Sequence, residues 1–241
     1  MSEYKIIKGF KIQSVTADPS TDLGQVWYNS TTGVLKYNAA TASAAWASGG
    51  NMGAARYGLG GAGTQTAGLA FAGNSGGVTN ATEEYDGSAW TGGGNMGASK
   101  YYNGGTGTQT AGLSIGGYGT PNGRSTEEYD GSAWTAGGNI TKGRFDMGAA
   151  GTQTAGLIAG GDAGQFSSPS FYNGTEEYGG SSWTAGGDLG TGRKTLGGFG
   201  TQTAALVFVG NIPAATAISE HYDGTSWTAG GNYPAAVNGA K

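Results

Sequence analysis

The chain has 241 residues, 52 of them glycine, and its 12 Lys or Arg against 16 Asp or Glu give a net charge of −4. This length fits one large all-β domain, and the net negative charge argues against binding to a nucleic-acid backbone. The sequence has no cysteine, which excludes disulfides and thiolate chemistry. It has no apolar run long enough for a membrane span and no signal peptide at its start, so we expect synthesis in the cytoplasm without export.

Residues 1–23 precede the repeated part of the chain and form a separate arm in our interpretation. Apolar residues alternate there with lysines in a loose strand-like pattern. An exposed apolar strand promotes aggregation unless something covers it. Two interpretations stay open: the arm folds back on the outer edge of the first repeat, or it adds as an attachment strand to another protein. The apolar residues that would attach are Ile6, Phe10 and Ile12.

Two sequence motifs recur through residues 24–241 at intervals of 44 to 49 residues. Such a period is typical of a repeat architecture built from one supersecondary unit. One motif surrounds a tryptophan, and the other reads Gly-Thr-Gln-Thr-Ala. The tryptophans are Trp46, Trp90, Trp134, Trp183 and Trp227, and the second motif begins at Gly63, Gly107, Gly151 and Gly200.

Each repeat contains four short strand candidates. In the second repeat they cover residues 56–62, 67–72, 81–85 and 89–91, with Asp86-Gly87 between the last two. Asp-Gly between two such segments is a strong hairpin signal, because glycine tolerates the positive φ of the turn. A four-stranded antiparallel sheet cannot bury both of its faces alone. Stacking several sheets around an axis buries them, and this arrangement is a β-propeller.

The aromatic pairs of these repeats resemble those of kelch repeats. Tyr85-Asp86 with Trp90, and Tyr129-Asp130 with Trp134, carry the resemblance, and Asn-Met-Gly-Ala-Ala-Arg at 51–56 is similar to the Met-x-x-x-Arg of a kelch unit. The chain departs from the pattern in its low charge and in Gly210-Asn211, which replaces a Gly-Gly pair. The resemblance implies an all-β, five-bladed kelch-like β-propeller with four antiparallel strands per blade.

The two ends of the repeated part are complementary. The first repeat lacks an innermost strand, and the tail at 232–241 aligns with 51–60, where an innermost strand begins. We therefore expect residues 235–241 to complete the first blade and close the ring, which leaves no open sheet edge.

A cation recurs at the start of each innermost strand, with Val237 at the fifth place. A ring of positive charge at a channel mouth could hold an anionic ligand. Alternatively, each cation pairs with a glutamate of the Glu-Glu-Tyr segments, because an unpaired cation beside packed strands is costly. The cations are Arg56, Lys100, Arg144 and Arg193.

The connections between the second and third strands vary most in sequence, and all should leave the same face. Variable loops on a repeated scaffold often carry binding sites, and exposed aromatic side chains suit sugar or protein surfaces. Alternatively, the longest loop buries its own aromatic residues. The candidate ligand-binding residues are Tyr118, Arg124, Phe166, Phe171 and Tyr172.

We expect no enzymatic activity, no metal site and no cofactor. His221 is the single histidine and stands where Glu84 stands in another repeat, so we interpret it as a substitution on a strand; no second histidine and no cysteine are present to build a soft-metal site. Neighbouring carboxylates such as Glu83 and Glu84 point to opposite faces of a strand, which is wrong for shared acid–base chemistry. The kelch-fold oxidases and sugar isomerases use residues that this chain lacks.

Residues 24–38, which read Gly-Gln-Val-Trp-Tyr-Asn-Ser-Thr-Thr-Gly-Val-Leu-Lys-Tyr-Asn, resemble segments of bacteriophage tail and fibre proteins. The resemblance implies a non-enzymatic virion protein, in a tail fibre or as capsid decoration, released by lysis. Its expected partners are host glycan or other virion proteins, and an assembly could contain several copies. The competing hypothesis is an intracellular kelch-type protein-interaction scaffold.

Overall fold

The computed structural model describes residues 3–7, 10–18, 26–37, 47–120, 122–166 and 169–237. The chain divides into two compact units, residues 1–48 and 49–241. Within the described ranges, no helix is long and apolar enough to cross a membrane.

The first unit contains one four-stranded sheet, formed by β1 (Glu3–Ile7), β2 (Phe10–Val15), β3 (Val26–Asn29) and β4 (Val34–Tyr37), in that order. The pairs β1–β2 and β3–β4 are antiparallel, whereas β2 and β3 are parallel. This sheet therefore differs from the wholly antiparallel blade that we expected. We expected residues 1–23 to be separate from the repeats, but β2 lies in this range and pairs with β3 of the first repeat. β2 therefore also occupies the edge of β3 at which we expect residues 235–241 to pair.

A single carboxylate links the end of β2 to the β3–β4 hairpin. Asp18 accepts hydrogen bonds from Trp27 Nε1 at 3.0 Å, Asn29 Nδ2 at 2.7 Å and Lys36 Nζ at 2.7 Å. These bonds, that from Lys36 first, lower the pKa of Asp18 to about 2. The arm thus has a specific polar contact with its own hairpin, which the alternation of apolar residues and lysines could not indicate.

The second unit contains four further four-stranded sheets, each a simple antiparallel meander. The chain therefore has five four-stranded sheets among its described residues, an all-β architecture compatible with a β-propeller. The strands of the first two are β5 (Gly60–Thr64), β6 (Ala67–Phe71), β7 (Thr82–Tyr85), β8 (Trp90–Gly92), β9 (Gly104–Thr108), β10 (Ala111–Ile115), β11 (Thr126–Tyr129) and β12 (Trp134–Ala136). Those of the last two are β13 (Gly148–Gly151), β14 (Gly156–Ala159), β15 (Thr175–Tyr178), β16 (Trp183–Ala185), β17 (Gly197–Thr201), β18 (Ala204–Phe208), β19 (Ser219–Tyr222) and β20 (Trp227–Ala229), with a short 3-10 helix at Gly164–Phe166.

The innermost strands of successive sheets, β5, β9, β13 and β17, contact one another in order. Their glycines make this approach possible. A Cβ on Gly105 would lie 2.6 Å from the carbonyl oxygen of Gly61, and one on Gly198 would lie 2.9 Å from the amide nitrogen of Ala149. The high glycine content is thus concentrated where backbone meets backbone.

The core lies between successive sheets. One cluster combines Leu69 and Phe71 of β6 with Tyr129 and Trp134 of the next sheet, and the ring centroids of Phe71 and Trp134 are 4.9 Å apart. The next cluster repeats this pattern with Leu113, Ile115, Ile140, Ile158, Tyr178 and Trp183. From the third repeat onward, each aromatic pair therefore packs against the preceding sheet, as the sequence predicted for Trp134, Trp183 and Trp227.

Hydrogen bonds recur at the same junctions between sheets, and residues of the recurring motifs form them. Each tryptophan from the third repeat onward donates from Nε1 to a threonine hydroxyl of the preceding sheet, at 2.9 Å for Trp134 and Thr82. Each glutamine of the later Gly-Thr-Gln-Thr-Ala motifs donates to two backbone carbonyls of that sheet. The glutamine contacts are Gln109 with Gly68 and Tyr85, Gln153 with Gly112 and Tyr129, and Gln202 with Gly156 and Tyr178.

The first glycine of the Gly-Thr-Gln-Thr-Ala motif is required by its backbone conformation. Gly107 has φ +100, and a Cβ there would overlap the carbonyl oxygen of Ala111. A left-handed, crowded position of this kind admits only glycine without strain. This glycine therefore sets the turn that presents the motif's glutamine to the preceding sheet.

Val237 occupies the place that a cation has in the other repeats. Gly210 N donates to the carbonyl of Val237, just as Gly73 N donates to that of Lys100. The tail is thus in the register expected from its alignment with 51–60. Residues 38–46, which include Trp46, and residues 238–241 lie outside the described ranges. Closure of the ring is not shown by the described residues, and the edge of β3 at which we expect the tail to pair is occupied by β2.

Candidate functional site

The four recurrent cations are buried within their own sheets. Each side chain is at most 1 % exposed, and each forms an ion pair with the first glutamate of the Glu-Glu-Tyr segment in the same repeat, which in the last repeat reads Glu220-His221-Tyr222. The structure thus shows the ion-pair alternative. The nitrogen–oxygen distances are 2.8 Å for Arg56–Glu83, 3.2 Å for Lys100–Glu127, 3.0 Å for Arg144–Glu176 and 2.9 Å for Arg193–Glu220.

The paired glutamates have a second recurrent contact. Oε2 of Glu83 accepts the backbone N–H of Gly53 at 2.6 Å, and Oε2 of Glu127 accepts that of Gly97 at the same distance. Burial lowers the pKa of Lys100 below its ordinary value, and the charge of Glu127 opposes this shift. Each carboxylate thus links its own cation to the segment preceding the innermost strand, which is a structural task.

Six aromatic side chains meet on one face of the second unit. On this face the innermost strands begin, and the loops that connect the second and third strands lie beside them. We call this set the aromatic surface. It draws residues from three successive repeats, and all six rings are at least partly exposed. Its members are Tyr57, Tyr101, Tyr102, Tyr118, Phe145 and Phe166.

The rings of the aromatic surface contact one another mostly at steep angles. The ring centroid of Tyr101 lies 6.3 Å from Tyr57, 4.8 Å from Tyr102 and 5.2 Å from Tyr118. Interplanar angles of 87° with Tyr57 and 73° with Tyr118 are edge-to-face arrangements, which aromatic pairs favour. Tyr57 is 55 % exposed, so the surface is open to solvent at that side.

Three of these rings belong to residues that follow the buried cations in the chain. Tyr57, Tyr101 and Phe145 each follow a cation directly, and each lies in a backbone bridge across to the loop after the second strand. The bridge partner of Tyr101 is Tyr118 itself, and the ring centroids of Tyr118 and Phe145 are 5.6 Å apart. Phe166 extends the surface at 6.4 Å from Phe145.

Tyr102 is held in a left-handed conformation, with φ 55. Its N–H donates to the carbonyl of Gly58 at 2.6 Å, and its carbonyl accepts the N–H of Asp146 at 2.9 Å. The N–H of Thr195 in turn donates to the carbonyl of Asp146 at 2.8 Å. Positive φ is unfavourable for a bulky residue, and bonds to neighbouring repeats hold it. The backbone beneath the aromatic surface is therefore preorganised.

Two of the five loop residues predicted as ligand contacts belong to the aromatic surface. Tyr118 and Phe166 line a cavity of about 380 Å³ together with Gly119, Thr120 and Gln165. The remaining three lie in other contacts. Arg124 Nε donates to the carbonyl of Ile140 at 2.7 Å, Tyr172 lies 5.0 Å from the guanidinium of Arg144, and Phe171 lies 5.4 Å from Lys194 Nζ.

Four members of the aromatic surface were missed by sequence reasoning: Tyr57, Tyr101, Tyr102 and Phe145. A signal was present, because an aromatic residue follows the cation in three repeats. In the fifth repeat Lys194 takes this place, and it pairs with Asp162 at 2.5 Å.

The innermost strands also line a cavity of about 520 Å³. Its walls are mostly glycine backbone, with Leu59, Asn103, Met147 and Leu196 among the side chains. Within the described ranges, no group of three or more His, Asp or Glu side chains could hold a metal ion. His221 is exposed on β19, where the other repeats have a glutamate.

No protein-family model matches this chain, and no curated protein matches it.

Proposed function

We propose that the chain is a non-enzymatic structural and binding protein of a bacteriophage virion, in a tail fibre or as capsid decoration. It binds host glycan or another virion protein through the aromatic surface. The observation that carries the binding role is the aromatic surface itself, in which three repeats contribute partly exposed rings to one continuous patch. Contiguous exposed apolar surface of this kind typically marks an interaction site.

The carboxylates of the Glu-Glu-Tyr segments support binding rather than catalysis. The first glutamates are paired with buried cations, and the second glutamates accept hydrogen bonds from tyrosines of the next sheet. General acid–base chemistry needs a proton donor or acceptor that can reach a substrate. These carboxylates are committed to structural contacts instead.

The first sheet supports the virion role through its edge. The segment that resembles tail and fibre proteins forms the β3–β4 hairpin, and the strand order places β1 at the edge of that sheet. An edge strand offers backbone donors and acceptors to a further chain. Ile6 lies on β1, and Phe10 and Ile12 lie on β2. We assign attachment to another virion protein to the outer edge of β1.

The genes beside the coding sequence and the protein content of purified particles test the proposal. We expect neighbouring tail or capsid genes, and we expect peptides of this chain in the mass spectrum of particles. The purified protein should also reduce adsorption of those particles to their host. A coding sequence far from phage genes, with the protein confined to the cytoplasm and bound to a cellular protein, would instead establish the kelch-type scaffold.

A further inference from the structure

We infer that the aromatic surface binds a neutral, linear glycan laid across three successive repeats. This inference rests on the proposed function, in which glycan is one of two partners, and it names the ligand's charge, shape and contact residues. Three properties of the surface carry it: the neutralised charge beneath it, the fixed rings, and the kind of backbone that it exposes.

The paired charges beside the aromatic surface argue against a strongly ionic ligand. Arg56, Lys100 and Arg144 stand directly before ring-bearing residues of the surface, yet each is buried and paired with a glutamate. At the end of the surface, Lys194 is paired with Asp162 at 2.5 Å. Paired charges give little long-range attraction for an acidic or basic ligand. The Tyr101 hydroxyl is a neutral phenol at physiological pH and can donate a hydrogen bond.

The rings match the chemistry of a sugar chain. A pyranose ring has an apolar face of C–H groups that packs on an aromatic ring, and its hydroxyls form hydrogen bonds at the rim. Tyrosine offers both groups, and it has only two side-chain torsions to order on binding. The bonds that hold Tyr102 to Gly58 and Asp146 keep its backbone in place before the ligand arrives. A preorganised surface loses less entropy on binding.

The backbone at the surface argues against an extended peptide. Peptides often bind by adding a strand to a free sheet edge, where a row of donors and acceptors fixes them. The N–H groups of Tyr101 and Tyr118 are bonded to each other's carbonyls, and those of Tyr57 and Tyr102 are also bonded within the fold. Recognition must therefore come from side chains, which suits a chain of sugar rings.

The repeat structure predicts how affinity depends on glycan length. Aromatic residues follow the cation in three successive repeats, and Lys194 ends the series in the next one. A glycan of increasing length should gain contacts until it spans Tyr57, Tyr101 and Phe145, and then gain no more. The exposed ring of Tyr57 marks one end of this path.

A glycan array first selects a neutral hexose oligosaccharide. Calorimetric titration of the full chain with that oligosaccharide at increasing lengths then tests the inference. We expect measurable binding that changes little with salt and strengthens with length to a plateau. Tyr101→Ala should weaken it by roughly tenfold, or about 1.4 kcal/mol. Tyr57→Ala should also weaken it, and because Tyr57 is 55 % exposed this variant should keep its fold. Phe199→Ala is the matched control, since Phe199 is 57 % exposed but lies on β17 outside the surface.

Three outcomes would overturn the inference. The first is no binding to any neutral glycan on the array. The second is binding only to acidic glycans or to peptides, and the third is binding that Tyr57→Ala and Phe199→Ala leave equally unchanged. Presence in particles together with any of these would leave the virion role standing without the neutral glycan. Neutral glycan binding by a chain absent from particles would overturn the virion role alone.

Discussion

The hydroxyl of Tyr129 donates a hydrogen bond to Oε1 of Glu84 at 2.5 Å, and the two residues belong to successive sheets. The same contact joins Tyr222 to Glu177 at 2.5 Å, and Tyr178 to Glu128. The three residues Glu-Glu-Tyr therefore have three separate tasks. The first glutamate pairs with a cation of its own sheet, the second accepts from the next sheet, and the tyrosine donates to the preceding one.

Replacing Tyr129 by Phe should lower the free energy of unfolding by about 1.5–3 kcal/mol, because a hydrogen bond to a charged acceptor is lost. Urea denaturation measures this loss, and a double-mutant cycle with Glu84→Gln isolates the pair. Tyr57→Phe, at an exposed ring, is the control and should change stability little. A cost below about 0.5 kcal/mol for Tyr129→Phe would show that the contact does not join the sheets.

Stability should fall steeply at alkaline pH. Burial, with the hydrogen bond to a glutamate second, raises the pKa of Tyr129, Tyr178 and Tyr222 from the ordinary value of 10.0 to about 12. Between pH 10 and pH 12 the folded state therefore binds more protons than the unfolded state. The stabilisation that these tyrosines contribute is fully present below pH 10 and is lost as the pH rises toward 12. Melting temperatures across this range, followed with tyrosinate absorbance, check the prediction. Tyrosines that all ionise near pH 10 while the protein stays folded would contradict it.

Removing one partner of a buried ion pair should be severe. Glu176→Ala leaves Arg144 buried without its counter-charge, and a change of this kind costs about 3–5 kcal/mol. Denaturant unfolding gives the value. The double variant Arg144→Met with Glu176→Leu should recover most of the loss, because it removes both charges. Equal instability of the single and double variants would show that volume rather than charge decides.

Trp183 should be the most costly to truncate of the tryptophans in the second unit. It is 7 % exposed, packs between successive sheets and donates to Thr126 at 3.0 Å. Trp183→Ala should cost about 3–5 kcal/mol by chemical denaturation. Trp183→Phe keeps much of the packing and should cost clearly less. A loss under about 1 kcal/mol for the alanine variant would contradict the packing described for this junction.

The first strand should be separable from the rest of the arm. Deleting residues 1–8 removes β1 but leaves β2 beside β3 and Asp18 beside Lys36. We expect the melting temperature to change little and incorporation into particles to fall, because the attachment edge is lost. Deleting residues 1–2 alone is the control. Normal incorporation of the longer deletion would remove β1 from the attachment proposal.

Much of the fold could be predicted because its local rules repeat. Asp-Gly turns, positive-φ glycines and recurring aromatic residues each specify a strand end or a junction, and four sheets follow these signals. The β2–β3 parallel pair could not be predicted in this way, because residues 1–23 lie outside the repeat. Asp18 holds that sheet through three contacts that no motif signals.

The candidate site was harder to predict, since its residues are far apart in sequence. Tyr57, Tyr101 and Phe145 lie 44 residues apart, and each alone is an ordinary aromatic residue at a strand start. Only the stacking of successive sheets brings them together. Arg124 shows the converse, because a loop arginine that looked available for a ligand donates to the carbonyl of Ile140.

A crystal structure of the protein with a neutral oligosaccharide selected on the glycan array shows directly whether the aromatic surface is the binding surface. We expect sugar rings packed on Tyr101 and Phe145, with the oligosaccharide extending toward Tyr57. Sugar bound instead in the cavity between the innermost strands, or beside Phe171, would contradict it.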